Sequence, residues 1–141
     1  MWIYRGDPVD SIDTKVYVAF VYCITNLTNN RFYVGYKQTL FSKTKQVKGK
    51  RRRVMVESDW RDYWSSSEEL KADVIALGES NFRREILHFC VSKSMASYLE
   101  LREQMDKRVI ENPETNYNRI INARVSYNHI KKVLPLIKEL G

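Results

Sequence analysis

Residues Val16-Tyr17-Val18-Ala19-Phe20-Val21-Tyr22-Cys23-Ile24-Thr25 form a run of β-branched and aromatic side chains. Arg31-Phe32-Tyr33-Val34-Gly35 resumes that character after the turn formers Asn26, Asn29 and Asn30. Such side chains suit a pleated, half-buried surface, and asparagine tolerates the backbone of a tight turn. The stretch therefore reads as a β-hairpin, with Tyr22 on its first strand and Tyr33 on its second.

Working outward, Ser65, Ser66 and Ser67 offer N-cap oxygens to a helix running to about Leu77. Glu68 and Glu69 fall in its first turn and Gly78 lies just past its end. Leu70, Val74 and Leu77 recur at helical spacing as its buried stripe. Phe82 to Val91 reads as a third strand, with Phe82, Ile86 and Phe89 among its core contributors. Ser92 or Ser94 caps a long helix to about Ile110, stopped by Asn112-Pro113. A last helix, Tyr127 to Leu140, is kinked or restarted at Pro135. The order hairpin, helix, strand, helix predicts an α/β (α+β) domain, a small three-stranded antiparallel sheet flanked by helices.

A chain of 141 residues holds one core, and 43% hydrophobic with 12% aromatic residues is enough to pack it. No apolar run is long enough to span a bilayer, and the start of the chain lacks a signal-peptide pattern, so a membrane is excluded and the cytosol is expected. Cys23 and Cys90 each sit in an apolar segment and read as buried, reduced thiols.

The net charge of +7 is concentrated. Lys37, Lys43, Lys45, Lys48, Lys50, Arg51, Arg52 and Arg53 are eight of the 24 basic residues, with no acid among them, leaving 16 basic against 17 acidic residues elsewhere. A polyanion is the natural partner of such a block, because each phosphate neutralised releases counterions; a flexible, solvated loop is the plain alternative. The segment itself is expected as a loop or broken helix.

Phe20-Val21-Tyr22 and Tyr33-Val34-Gly35 together resemble the two halves of the GIY-YIG endonuclease motif. Other pieces resemble that family in the same order: Ser65-Ser66-Ser67 with Leu70 and Gly78, Phe82 with Ile86-Leu87, a glutamate on the next helix, then Tyr117-Asn118. Glu57-Ser58-Asp59-Trp60 through Tyr63-Trp64-Ser65 is similar to phage-encoded members related to homing endonucleases. The resemblance implies a nuclease domain over residues 16–119 with a basic insertion at 37–58, an N-terminal extension 1–15 and a C-terminal helical extension 120–141. It further implies DNA as the partner, a possible homodimer, and, for a phage protein, the cytoplasm of the infected bacterium.

Hydrolysis of a phosphodiester needs a base, a cation to meet charge developing on the phosphate, and help for the leaving oxygen. A phenol with a pKa near ~10 is a poor base unless positive charge stands beside it. By the resemblance, Tyr22 activates water, Tyr33 assists, and Asn118 supports the site. The same resemblance implies one Mg2+, replaceable by Mn2+, held by a carboxylate of the long helix. Glu100 is favoured because Ala96 stands one turn before it; Glu103 fits a count back from Tyr117-Asn118. The arginine that the family places after its second half-motif is missing. Lys43 and Lys45 stand there, and Lys37, Arg51, Arg52 or Arg53 are possible replacements. Lys37, Lys45, Lys48, Lys50 and Arg51 to Arg53 are the candidate nucleic-acid contacts. Two other readings stay open: a non-catalytic module holding phosphates with the basic block and stacking bases on aromatics, and a module for an acidic protein. His88 and His129 read as strand and helix residues, not ligands.

Overall fold

A computed structural model describes all 141 residues. The strands are β1 (Trp2–Tyr4), β2 (Asp7–Pro8), β3 (Ala19–Asn26), β4 (Phe32–Gln38), β5 (Leu40–Val47), β6 (Lys50–Glu57) and β7 (Phe82–Cys90). The helices are α1 (Glu68–Leu77), α2 (Lys93–Asp106), α3 (Tyr127–Ile130) and α4 (Leu134–Glu139). The main sheet has five strands in the order β2-β1-β7-β3-β4, not three. The mixed helix and sheet class stands as expected. The extra strands come from the first eight residues. β1 pairs in parallel with β7, Ile3 against Glu85, and folds back on β2, while Trp2 is sealed in the core with its indole N–H donating to the Trp60 carbonyl at 2.7 Å.

β3 lies between β4 and β7 and is buried on both faces. Its alternating side chains serve two clusters, as the period of two requires. Phe20, Tyr22 and Ile24 pack with Trp2, Trp60, Leu70, Val74 and Tyr117 on the α1 side. Ala19, Val21 and Cys23 pack with Val34, Ala96, Leu99, Ile130 and Ile137 on the α2 side. Between Val21 and Tyr22 the pairing with β7 slips from His88 to Ile86, a bulge that re-aims the chain next to Tyr22.

The caps are those the serines promised. Ser67 accepts the Leu70 N–H at 3.1 Å to start α1, Gly78 ends it at φ 91°, and Ser92 accepts the Met95 N–H at 3.1 Å to start α2. α2 stops at Asp106, before Ile110. The last helix is broken into α3, a 3-10 turn over 131–133 and α4, with Pro135 in the first turn of α4 where its missing N–H costs nothing. The basic segment is neither loop nor helix. It forms the antiparallel hairpin β5-β6, a separate two-stranded sheet whose side chains are almost all exposed. Both cysteines are free and buried.

Candidate active site

Register builds the site. Tyr22 and Gly35 face each other across the β3-β4 ladder, with Tyr33 two residues away on the same side of β4. The Tyr22 and Tyr33 rings lie 6.2 Å apart at 31°, and Tyr63, after the 3-10 turn Trp60–Asp62, meets Tyr22 edge-on at 6.0 Å. Three phenols therefore share one face beside Gly35. Tyr63 was not among the residues singled out for the site, because only the turn at Trp60 brings it back over the hairpin.

The two hairpin phenols are not equivalent. Tyr22 is 1% exposed, a member of the core cluster, and burial, then the neighbouring Tyr63 and Tyr33, hold its hydroxyl far from ionising. Tyr33 is half-buried and its hydroxyl shares a hydrogen bond with the Ser66 hydroxyl at 2.9 Å; burial raises its pKa, and the Ser66 contact opposes the rise. In this arrangement the surface phenol is Tyr33, not Tyr22, whose expected contact with water is closed off by its own packing.

The cation at the phenols is Lys37. It follows Gly35 by two residues on β4, so its side chain emerges on the same face. Its Nζ lies 4.0 Å from the Tyr63 ring centroid and 2.6 Å from Asp59 Oδ1, and the residue is buried. Lys43, placed at the site by its sequence position, instead pairs with Val54 on the exposed β5-β6 hairpin, as do Lys45, Lys50 and Arg51 to Arg53 with their own partners; Lys48 sits in its turn. The insertion pairs only with itself, so none of these residues lies on the sheet that carries the two hairpin phenols.

Glu100 and Glu103 have opposite surroundings. Glu103 accepts from His88 Nε2 at 2.9 Å and from Lys107 Nζ; the His88 contact above all pulls its carboxyl down to about 2. Glu100 has no ion-pair partner. Burial pushes its carboxyl up to about 7, with the backbone amide of Tyr36 pulling the other way, and its charge acts on Tyr22 and Tyr33 alike. Of the two, Glu100 is the carboxylate that acts electrostatically on both phenols, and it carries no ion pair. No group of three or more histidine, cysteine or acidic side chains is clustered to cage a metal. A single hard carboxylate oxygen fits an ion that keeps most of its waters, the habit of Mg2+.

Asn118 is a clamp on β4. Its Oδ1 accepts the Val34 N–H at 2.9 Å and its Nδ2 donates to the Val34 carbonyl at 2.8 Å, as a neighbouring strand would. Tyr117 adds an N–H to the Phe32 carbonyl at 2.7 Å, so residues 116–118 cover the free edge of β4. The side chain is buried and holds the strand that carries Tyr33 and Lys37.

The phenols of an antiparallel hairpin and the unpaired carboxylate of the helix behind it thus make up the candidate site on an α+β scaffold. The matching family model is described as "Putative endonuclease segE, GIY-YIG domain" and covers residues 2–125, so the chain belongs to the GIY-YIG endonucleases. It is a GIY-YIG-type DNA endonuclease. No curated protein and no solved structure matches the chain.

Proposed function

We propose that the chain is a metal-dependent endonuclease in which Glu100 is the sole protein ligand of one Mg2+, with Mn2+ as a substitute. The observation that carries this is the contrast between Glu103, tied to His88 and Lys107, and Glu100, unpaired and acting on both phenols. When bound, the ion supplies positive charge for the phosphate oxygens and lowers the pKa of a bound water. Tyr33 presents its hydroxyl, fixed by Ser66, to the phosphate or the attacking water, and Tyr22 stands behind it and sets its ring. Lys37 meets charge that accumulates on the phosphate. Asn118 positions β4.

The test is supercoiled plasmid with and without Mg2+, followed by nicked and linear products. Wild type is expected to cut only with Mg2+ or Mn2+, and Glu100→Ala to bind DNA without cutting; cleavage by Glu100→Ala removes the ligand assignment. Tyr33→Phe is expected to lose more rate than Tyr22→Phe, and the reverse order would restore Tyr22 as the surface group. Cutting both strands with one such centre takes either a homodimer or two successive nicks. A homing-type, phage-encoded enzyme would work in the cytoplasm of the infected bacterium, and no helix here is long and apolar enough to cross a membrane.

A further inference from the structure

The hairpin β5-β6 is left unused by the site. Its two strands pair with each other and with no other strand. Lys48 and Gly49, at φ 50° and 73°, make the two-residue turn whose backbone matches strand twist. Its base is fastened to the end of β4: the Ser58 N–H donates to the Thr39 carbonyl at 2.8 Å and the Ser58 hydroxyl to the Gln38 carbonyl at 2.6 Å. A rigidly rooted, two-stranded ribbon thus projects from beside Lys37.

Directly opposed residues share a face of such a ribbon. The register sorts them sharply. Lys43 with Val54, Lys45 with Arg52 and Val47 with Lys50 occupy one face; Ser42 with Met55, Thr44 with Arg53 and Gln46 with Arg51 occupy the other. The three strand lysines, Lys43, Lys45 and Lys50, all lie on the first face, and none lies on the second. Lys43, Lys45, Lys48, Lys50 and Arg51 to Arg53 are exposed, and none enters an ion pair, whereas Arg31, Lys37, Arg61, Lys71, Arg83, Lys107 and Arg119 all do. Arg52 shares the lysine face, but every uncharged hydrogen-bonding side chain of the two strands, Ser42, Thr44 and Gln46, lies on the other together with Arg51 and Arg53, a separation that a merely solvated basic loop has no reason to make.

Serine, threonine, glutamine and arginine are the side chains whose donors and acceptors match base edges, arginine to guanine and glutamine to adenine. A major groove about 12 Å wide admits a two-stranded ribbon. Residues two apart on a strand are roughly 6.7 Å apart, close to two base-pair rises. We propose that β5-β6 is a groove-entering arm for double-stranded DNA, which turns the Ser42, Thr44, Gln46, Arg51 and Arg53 face to base edges and sends the lysines to the phosphates of the groove rims. The arm selects where the endonuclease acts. This rests on DNA as substrate and is independent of the metal assignment at Glu100. Duplex RNA is not a fitting occupant, since its major groove is too deep and narrow for side chains to read.

The test is binding selection from a randomised DNA duplex library, together with the salt dependence of affinity on one fixed duplex, using the full chain. Wild type is expected to enrich a short motif. The charge-conserving variant Arg51→Lys with Arg53→Lys is expected to keep the salt slope while losing roughly tenfold or more of its discrimination at the contacted base pairs. Lys43→Ala with Lys45→Ala and Lys50→Ala is expected to reduce the slope by about three and to keep the motif. Absence of any motif in wild type, an unchanged motif in both the lysine-for-arginine variant and Gln46→Ala with Arg51→Ala and Arg53→Ala, or equal affinity for duplex RNA would each overturn the arm. Motif enrichment without cleavage would sink the metal site and leave the arm standing.

Discussion

A methyl group on Gly35 would lie 2.6 Å from the Tyr22 hydroxyl oxygen and 2.9 Å from Tyr33 Cε1, so the glycine is the floor on which both phenols rest. Tyr22 is enclosed and cannot swing away. Gly35→Ala is therefore expected to cost about 1–3 kcal/mol in urea unfolding by overpacking and to reduce single-turnover cleavage by roughly 10²-fold through misplaced phenols. Wild-type cleavage in that variant would show that the phenol geometry is not needed.

Burial raises the Glu100 carboxyl from 4.5 to about 7. Between those values the folded protein holds a proton that the unfolded chain has released, so stability falls as pH rises through this window and levels off above it. Glu100→Gln cannot titrate and is expected to flatten that part of the curve of urea midpoint against pH. Cleavage moves the other way, rising with pH through about 7 as protons cease to compete with the metal. A pH-rate profile that is flat from 5 to 8 would count against the role of Glu100.

Glu103 runs opposite in sign. His88, then Lys107, take its carboxyl from 4.5 down to about 2, so its contribution is present above 4.5 and is lost as pH falls through about 2. The group is part-exposed, and solvent screening limits the contribution to about 0.5–1 kcal/mol. Glu103→Gln is expected to lose that amount near neutral pH, read by thermal unfolding, and to cut DNA at close to the wild-type rate. A dead enzyme with intact stability would instead make Glu103 the ligand.

Lys37 and Lys43 separate two functions of positive charge. Lys37→Ala removes the cation 4.0 Å from the Tyr63 ring and is expected to reduce single-turnover cleavage at saturating DNA by roughly 10²-fold. Lys43→Ala is expected to leave that rate unchanged and to shift the salt slope of binding by about one. The opposite pattern would return Lys43 to the site.

Asn118→Ala removes both bonds to Val34. The Val34 carbonyl keeps the Gln104 amide at 3.1 Å, but its N–H loses its acceptor. An unsatisfied buried donor costs about 1–3 kcal/mol, so denaturant unfolding is expected to register that loss. Unchanged stability with abolished cleavage would mean that Asn118 acts on substrate.

What could be read from the chain alone follows range of interaction. The β3-β4 hairpin, the Ser67 and Ser92 caps and β7 were legible because their signals are local: β-branched runs, asparagine turns and serine before a helix. β1 was not, since three residues carry no period and its partner β7 lies some eighty positions on. The arm was missed because lysine and arginine are poor strand formers and the turn is Lys48-Gly49, without the usual asparagine or aspartate. At the site, Tyr22, Tyr33 and the pair Glu100 and Glu103 were singled out by the family resemblance. Lys37 shares the face of Tyr33 by the strand period alone, whereas the nearness of Tyr63 and Ser66 is made only by tertiary folding, and so is the pairing that withdraws Glu103.

Tyr22 belongs to the same packed cluster as Trp2, Trp60 and Leu70, whereas the arm's cations touch nothing that the core depends on. The enzyme is thereby divided into a part that selection must hold still and a part that it is free to rewrite. Descendants of such a chain can acquire new targets by exchanging a handful of exposed side chains, without renegotiating the stability of the machinery that cuts.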